Sequence, residues 1–329
     1  MIAGLSHGAF GPAVQNSQEN AITMSPSKRP PRSRFTRRST AAEVTQELDL
    51  TGKNVLITGC NSGLGYVSMQ ILAGRGAHVI GTARSRGKAL QASARAGVDI
   101  TPVACELSEY ESVVACSEEV RGLGCPIDSL ICNAGVMGLP ELQQKHGVEM
   151  QFLTNHLGHF VLVNRLLDQV LRAPAGRIVM VSSLGHYFSV PGGINFDNLS
   201  GELHYDPWTF YGQSKLANVL MSNELAVRLE GTSATANAVH PGIIHTPLMR
   251  NLSTTLFNLS SALSWPFARS AEQGAATQCY VATAPALEGV SGAYFADCNP
   301  ARTSIHARNR ELAARLWSVS VGVTAAYWE

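Results

Sequence analysis

The sequence predicts an α/β fold, a single doubly wound Rossmann-type domain with a parallel sheet of about seven strands. Short runs rich in β-branched residues alternate along the chain with longer amphipathic stretches. The short runs are apolar on both faces, as in a parallel sheet that helices cover on both sides. A glycine-rich segment directly after the first run predicts the tight strand-to-helix turn with which such folds begin.

Each element follows from its local pattern. The predicted strands cover residues 54–59, 77–83, 100–105, 129–135, 177–183, 233–242 and 292–298. The predicted helices cover residues 39–50, 64–75, 88–96, 110–121, 148–172 and 209–230. Ser39 or Thr40 is a suitable N-cap for the first helix, with Glu43 in its first turn, and Gly231 is a natural stop for the last. The chain shows no internal repeat, so we expect one domain over residues 39–329.

Composition excludes several classes of function. The chain of 329 residues is 45% hydrophobic with a net charge of +1, so no global field favours nucleic acid or an anionic membrane. It has no uninterrupted apolar run of 18 residues, and we therefore expect a soluble protein without a transmembrane anchor. Seven scattered cysteines, an odd number without metal-ligand spacing, predict free thiols in a reducing compartment and no metal site.

The first 38 residues differ from the rest. Residues 24–38 combine six basic residues and three prolines with no acid, a composition that cannot bury enough apolar surface to fold alone. We expect residues 1–38 to be a disordered basic tail. The alternative is an organelle-targeting segment, because such segments are rich in Arg and Ser and poor in acids. The predicted location is accordingly the cytoplasm, or an organelle if this segment is a targeting signal.

The glycine-rich segment TGCNSGLG has Gly59, Gly63 and Gly65 directly before a helix. Glycines there allow a sharp turn and a close approach of the backbone to a pyrophosphate, and the helix N-terminus offers free N–H groups. The alternative is a purely structural turn. The second strand ends in GTARS, with no acid for a ribose 2′-hydroxyl, so Arg84 favours the 2′-phosphate of NADP over NAD unless it is simply a solvated cation.

Tyr211 and Lys215 lie four residues apart in the segment TFYGQSKLANVL. Side chains at i and i+4 share one helix face, so the phenol and the ammonium must meet at the same patch of surface. A lysine extended along a half-buried tyrosine would explain this pair alone.

Several motifs, in order along the chain, resemble those of the short-chain dehydrogenases/reductases. TGCNSGLG is similar to the cofactor loop of that family, CNAG (132–135) to its N-N-A-G strand end, and NHLGHF (155–160) to its asparagine helix. MVSS (180–183) looks like its serine strand, YGQSK (211–215) like its Tyr-x-x-x-Lys pair, and HPGIIHTPL (240–248) like its Pro-Gly segment. Within the family, the chain looks most like the retinol-dehydrogenase and WW-domain-oxidoreductase branch.

The resemblance implies a role for each matching residue. Tyr211 would be the general acid/base, and the positive charge of Lys215 would favour its phenolate. Ser183, in preference to Ser182, would bind the substrate oxygen, and Asn155 would fix a water that links Lys215 to solvent. Binding of NADP(H) would involve Gly59, Asn61, Ser62, Gly63, Leu64, Gly65, Arg84, Glu106, Leu107, Asn133, Ala134, Gly135, Tyr211, Lys215, Pro241, Gly242, Ile244 and Thr246.

The function that follows is an NADP-dependent oxidoreductase, a carbonyl reductase in one direction, that transfers a hydride between the nicotinamide and a small apolar aldehyde, ketone or alcohol. The apolar segment 248–267 lies where the family has its substrate lid, although it could also be core, a dimer contact or a membrane-surface helix. The alternatives are an NADPH-binding regulatory or scaffold protein with little turnover, and a light-driven tetrapyrrole reductase.

Two further expectations concern assembly and the histidines. The resemblance implies a homodimer or homotetramer through the helices at 148–172 and 209–230, although their apolar faces could also pack within one chain. The histidines at 156, 159, 186 and 240 lie on separate elements without ligand spacing, and we assign them to structure.

Overall fold

The computed structural model describes residues 28–244 and 268–328. Within them, eight strands form the main sheet, and their bounds are β1 Asn54–Thr58, β2 His78–Ala83, β3 Thr101–Ala104, β4 Ser129–Cys132, β7 Arg177–Val181, β8 Thr235–His240, β9 Tyr294–Ala296 and β10 Asn299–Pro300. The strand order is β10-β9-β8-β7-β4-β1-β2-β3. The seven strands from β3 to β9 in that order are parallel, which confirms the predicted fold class, and the edge strand β10 is antiparallel. A two-residue strand such as β10 leaves no periodic pattern in the sequence.

A separate two-stranded hairpin and the helices complete the described part of the chain. The hairpin consists of β5 Gln144–Lys145 and β6 Val148–Glu149. The α-helices are α1 Ala41–Val44, α2 Gly63–Gly74, α3 Arg86–Ala96, α4 Tyr110–Gly122, α5 Met150–Phe152, α6 Gly158–Arg172, α7 Pro207–Arg228, α8 Ala271–Thr283 and α9 Arg310–Thr324. Thr40 and Glu43 form the capping box of α1, although that helix ends at Val44 and does not continue to residue 50.

Two hydrophobic clusters lie on opposite faces of the sheet. One unites side chains of α4, α6, α7 and α9, and the other unites side chains of α1, α2, α3 and α8. Adjacent residues of β1 divide between them, since Leu56 belongs to the first cluster and Val55 and Ile57 to the second. This explains why the strands are apolar at consecutive positions.

The helix predicted at 148–172 is irregular. A π-helical turn at Leu153–Leu157 separates α5 from α6, and the Gly158 N–H donates to the Leu153 carbonyl. A Cβ at Gly158 would lie 2.2 Å from the Leu107 carbonyl oxygen, so the backbone packs too closely there for any other residue. Single π-turns inside α-helices are frequent at functional sites, and this one contains Asn155.

The C-terminal helix α9 packs across α6 and α7 in the same chain. The indole of Trp317 meets the ring of Phe160 edge-on at 4.8 Å, and the Arg228 guanidinium lies 4.2 Å from the Trp317 ring. The imidazole of His156 bonds the Ser320 hydroxyl at 2.9 Å. The apolar faces of α6 and α7 are thus packed at least in part by the chain itself.

Trp317 offers a test of this packing. We expect Trp317→Ala to lower the free energy of unfolding by about 3–5 kcal/mol, because truncating a buried Trp leaves a cavity between α9 and α6. Chemical denaturation would measure the change. The exposed Trp208, replaced in the same way, is the matched control. A loss at Trp317 no larger than at Trp208 would show that α9 contributes little to the core.

The N-terminal segment contacts the domain from residue 28, where the Lys28 ammonium donates to the Glu288 carbonyl at 3.4 Å. The Ser33 N–H donates to the Asn299 side-chain oxygen at 2.9 Å, and the Ser33 hydroxyl donates to the Cys298 carbonyl at 2.9 Å. The Phe35 ring packs edge-on against Tyr280 at 5.6 Å. Residues 33–38, which composition places in the tail, are therefore attached to the domain at its β10 edge.

Two further findings concern the cysteines and the described helices. All seven cysteines are free thiols, as their spacing predicts. Over residues 28–244 and 268–328, no helix is long and apolar enough to cross a bilayer.

Candidate active site

The glycine-rich loop lies at the carboxyl end of β1, which is flanked by β4 and β2. Chain order reverses here, and doubly wound sheets bind ligands at such points. Gly59 has a φ of +71°, which favours glycine. A Cβ at Gly65 would lie 2.3 Å from the Gly59 carbonyl oxygen and 2.6 Å from the Asn133 side-chain nitrogen. The loop thus has two positions that only glycine satisfies.

The N-terminus of α2 is suited to a phosphate group. Ser62 is the N-cap residue, but its side chain makes no capping hydrogen bond, and the first turn contains no acid. The first N–H groups of a helix lack partners within the helix and favour anions. Loop and helix N-terminus therefore fit the pyrophosphate of a dinucleotide.

The turn after β4 is bonded to the end of β1. Asn133 donates from its backbone to the Thr58 hydroxyl at 2.9 Å and from its side chain to the Thr58 carbonyl at 2.8 Å. The buried side chain of Gln278 on α8 donates to the Asn133 side-chain oxygen at 3.2 Å. Gln278 was not found by sequence reasoning, because its partners lie more than a hundred residues away. The protein thus fixes the Asn133 side chain from two sides.

The residues expected near the adenosine differ in exposure. Arg84 follows β2 and is exposed, so its guanidinium is accessible to a ligand. Glu106 accepts from the Ser108 hydroxyl at 2.9 Å, so its carboxylate is already engaged. Leu107 is buried in the core beside α4, and its carbonyl oxygen packs against Gly158 of α6.

Tyr211 and Lys215 lie on α7, which Asp206 caps and which Pro207 begins. The Lys215 nitrogen is 5.7 Å from the centroid of the Tyr211 ring, as the i, i+4 spacing predicts, and it donates to the Val181 carbonyl at 3.2 Å. Both side chains are more than 90% buried. The two groups therefore share one buried patch at the carboxyl edge of β7.

Burial dominates the pKa values of Tyr211 and Lys215. Burial raises the pKa of Tyr211 to about 12, opposed by a side-chain hydrogen bond with Ser183. Burial also lowers the pKa of Lys215 from its ordinary 10.5 to about 8. Both shifts have the same cause, because each charged form loses its hydration in the interior. The phenol stays protonated at neutral pH and can donate a proton.

The two serines after β7 have different partners. The Ser182 hydroxyl is buried and donates to the Lys215 carbonyl at 2.7 Å. The Ser183 side chain faces the Tyr211 phenol and caps the following helical turn by accepting from the Gly185 N–H at 3.1 Å. A Cβ at Gly185 would lie 2.8 Å from the Tyr211 ring, so glycine permits this contact. Ser183 is the serine next to the phenol.

Asn155 is buried in the π-helical turn. Its side chain accepts from the Val136 N–H at 2.7 Å and donates to the Val136 carbonyl at 2.9 Å. It also donates to the Ser214 hydroxyl on α7. A Cβ at Gly135 would lie 2.8 Å from the Asn155 side-chain oxygen and 3.4 Å from the Lys215 nitrogen. The structure thus brings Gly135, Asn155 and Lys215 together.

The Pro-Gly segment follows β8. Gly242 has a φ of +98°, and a Cβ there would lie 2.5 Å from the side chain of Arg269. Arg269 also donates from its backbone to the Ile243 carbonyl at 2.9 Å, and it pairs with Ile244 in a parallel β-bridge. Nothing local in the sequence indicates this contact. Thr246 and the predicted lid at 248–267 lie outside the described residues.

Among the described residues, Glu109, Glu111 and His146 form one group whose potential ligand atoms lie within 4.8 Å of one another. Glu109 is ion-paired with Lys145, and Glu111 accepts from the Tyr327 hydroxyl at 3.2 Å. Both carboxylates thus have partners within the protein.

Known proteins resemble this chain over most of its length. The family model described as short chain dehydrogenase matches residues 53–256. A relative named chloroplastic short-chain dehydrogenase TIC 32 B, from Brassica napus, is 41% identical over 297 residues, 86% of this chain and 92% of that protein. Human retinol dehydrogenase 14 is 39% identical, over 82% of this chain and 85% of its own length. Human WW domain-containing oxidoreductase is 38% identical, over 90% and 73% respectively.

A solved structure agrees with these relatives. The crystal structure of an uncharacterized Mycobacterium paratuberculosis protein matches with a TM-score of 0.69 at 32% identity, over 88% of this chain and 98% of that one. The resemblance to the retinol-dehydrogenase and WW-domain-oxidoreductase branch is confirmed. This chain belongs to the short-chain dehydrogenase family of nicotinamide-dependent oxidoreductases.

Proposed function

We propose that this protein is an NADP-dependent oxidoreductase that transfers a hydride between the nicotinamide and the carbonyl or alcohol group of a mainly apolar small molecule. The observation that supports the proposal most strongly is the joint placement of the Tyr211 phenol, the Ser183 side chain and the Lys215 ammonium at the carboxyl edge of the sheet. The glycine loop and the uncapped α2 N-terminus lie at the same edge.

The residues divide the work of reduction. The Ser183 hydroxyl donates a hydrogen bond to the substrate carbonyl oxygen and orients it toward the phenol. Tyr211 then gives its proton to that oxygen as negative charge develops there, and its pKa of about 12 keeps the proton available until this step. Lys215 stabilises the phenolate that remains. The bound cofactor supplies the hydride, while the protein supplies orientation and electrostatics.

Exposed apolar side chains near the site support an apolar substrate. Leu184 and Phe188 follow Ser183, and Ile243 lies in the Pro-Gly segment. Trp208, one turn before Tyr211, packs within 3.6 Å of where a Cβ at Gly138 would lie. Phe188 is 69% exposed and Trp208 is 46% exposed. Burial of such surfaces against a ligand is favourable in proportion to the apolar area removed from water.

The proposal is tested by following the loss of reduced-nicotinamide absorbance with a panel of apolar aldehydes, ketones and quinones. We expect consumption of NADPH that depends on the substrate. If NADPH binds and no compound in a broad panel is reduced, the reductase proposal is wrong. A regulatory protein that binds NADPH would then be the better description.

Arg84 is proposed to select NADP. Its guanidinium is exposed at the end of β2, and a charge-assisted bond to a 2′-phosphate predicts that Arg84→Ala raises the Michaelis constant for NADPH by about 10- to 100-fold. The constant for NADH should not change. Arg86→Ala is the matched control, since that guanidinium is already ion-paired with Glu119. Equal effects on NADPH and NADH would contradict the assignment.

For the assembly, we propose the homodimer or homotetramer that the family resemblance implies. Sedimentation of the full chain would decide between this oligomer and a monomer with α9 packed on α6 and α7.

For the location, we propose that residues 1–38 direct the protein to an organelle and not to the cytoplasm. The Brassica relative is named chloroplastic, which supports this proposal. Fusing these residues to a reporter would test their targeting.

A further inference from the structure

Asn155 is attached to the cofactor loop through a buried histidine. His159, one helical turn after Asn155, lies between the Thr58 hydroxyl at the end of β1 and the Asn155 carbonyl oxygen. We propose that His159 is a positioning residue for the reaction, which fixes the Asn155 carbonyl by donating one hydrogen bond from a single neutral tautomer. This inference rests on the proposed function, in which Asn155 fixes a water that links Lys215 to solvent.

The hydrogen bonds of Thr58 determine the tautomer. The Thr58 oxygen accepts from the Asn133 N–H at 2.9 Å and from the Ala134 N–H at 3.0 Å. A hydroxyl has two lone pairs and one proton, so with both lone pairs engaged its proton points to its third neighbour. That neighbour is the Nε2 atom of His159, at 2.8 Å. Nε2 is therefore an acceptor and carries no proton.

The other ring nitrogen must then carry the proton. The Nδ1 atom of His159 lies 3.0 Å from the Asn155 carbonyl oxygen, which can only accept. Nδ1–H thus donates to that oxygen. A doubly protonated ring would present a second N–H to Thr58, whose lone pairs are already occupied. The surroundings of His159 support only the neutral Nδ1–H form.

Burial reinforces this choice. His159 has no exposed surface, and burial lowers the pKa of its imidazole to about 4. The hydrogen bond to the Asn155 carbonyl opposes this shift of the pKa, and the positive charge of Lys215 adds a smaller lowering. The imidazole is therefore neutral between about pH 5 and 8.

The position of Asn155 affects the reacting groups. Its side chain bonds Val136, next to Gly135, and donates to the Ser214 hydroxyl, which donates to the Tyr211 carbonyl at 2.8 Å. The family resemblance implies that Asn155 also fixes a water that links Lys215 to solvent. A displaced Asn155 would misplace both the water and the start of the Tyr211 turn.

Nitrogen-15 NMR of the histidine ring tests the tautomer directly in the full chain, with or without NADPH. We expect His159 to show a protonated Nδ1 and an unprotonated Nε2, unchanged between about pH 5 and 8, where an ordinary histidine titrates. A proton on Nε2, or titration within that range, would overturn the proposal. This reading requires no turnover, so it is independent of whether the proposed reaction occurs.

Two substitutions then separate the two bonds. In His159→Asn, the side-chain amide lies near the former position of Nδ1–H and can donate to the Asn155 carbonyl. In His159→Gln, the longer side chain places its amide near the former position of Nε2, next to Thr58, so the bond to Asn155 is lost. We expect His159→Gln to lower kcat by about tenfold or more and to move the pH profile of kcat, with the Kd of NADPH unchanged. His159→Asn should restore most of kcat and the original profile.

His156→Gln is the matched control, because His156 is a buried histidine three residues before His159 and bonds Ser320 on α9. It should lower stability without moving the pH profile. If the Asn and Gln variants of His159 lose kcat equally, or if His156→Gln changes the profile as much, His159 has only a structural role. If the wild-type chain reduces nothing, the proposed function fails while the NMR result still stands.

Discussion

Tyr211→Phe is expected to lower kcat for carbonyl reduction by about 10²- to 10⁴-fold, the usual contribution of a general acid. The substitution removes one oxygen atom and leaves the buried ring in place against Gly185 and Lys215. The variant lacks the phenol proton that the proposed mechanism transfers to the substrate oxygen. Steady-state kinetics with NADPH would measure the loss, and fluorescence titration should show that NADPH still binds.

Tyr187→Phe is the matched control for this experiment. Tyr187 lies in the helical turn that follows Ser183, but its hydroxyl is directed away and donates to the Arg302 carbonyl at 3.1 Å. We expect this variant to retain kcat. If Tyr211→Phe retains kcat as well, the proton comes from another donor and the proposed role of Tyr211 is wrong.

Local patterns were sufficient to predict the parts of the molecule whose geometry is local. The glycine loop follows a strand and precedes a helix, and its positive φ values depend on nothing beyond a few residues. The pairing of Tyr211 with Lys215 follows from the helical repeat alone. The seven parallel strands were predicted for the same reason, since a buried strand is apolar at successive residues.

Contacts between distant segments could not be predicted in this way. Gln278 reaches Asn133 from α8, and Arg269 packs against Gly242 at the edge of the undescribed segment. Both residues read as ordinary helix-forming or surface residues in the sequence. The π-helical turn at Leu153–Leu157 was also missed, because one extra residue in a turn hardly alters the apolar pattern of a long helix.

The pKa values of Tyr211 and Lys215 depend on burial, which sequence spacing does not give. Sequence spacing places Lys215 near Tyr211 and suggests that each charge favours the other. It does not reveal that both groups are buried, and burial raises one pKa and lowers the other. Depth in the fold, and not proximity, determines which protonation states are present at neutral pH.

Lys215→Met should therefore make the protein less active and more stable. The ammonium is charged below its pKa of about 8, so in the wild type kcat for reduction should fall as pH rises through about 8. The methionine variant has no charge to stabilise the phenolate, so we expect its kcat to be about 10²-fold lower than that of the wild type. Its kcat should also not fall as pH rises through about 8. If kcat of the variant still falls as pH rises through about 8, another group titrates there.

The stability change has the opposite sign. The unfolded chain holds the Lys215 proton up to about pH 10.5 and the folded chain only up to about 8, so below pH 8 the buried charge costs folding free energy. Methionine has a similar shape without that cost, and the gain at pH 7 should be on the order of 1–3 kcal/mol. The gain should shrink as pH rises from about 8 toward 10.5, because the folded wild type then carries a neutral amine. Urea unfolding of both proteins at pH 7 and 9.5 would measure it. A variant less stable than the wild type at pH 7 would mean that the bond from Lys215 to the Val181 carbonyl outweighs the desolvation of the charge.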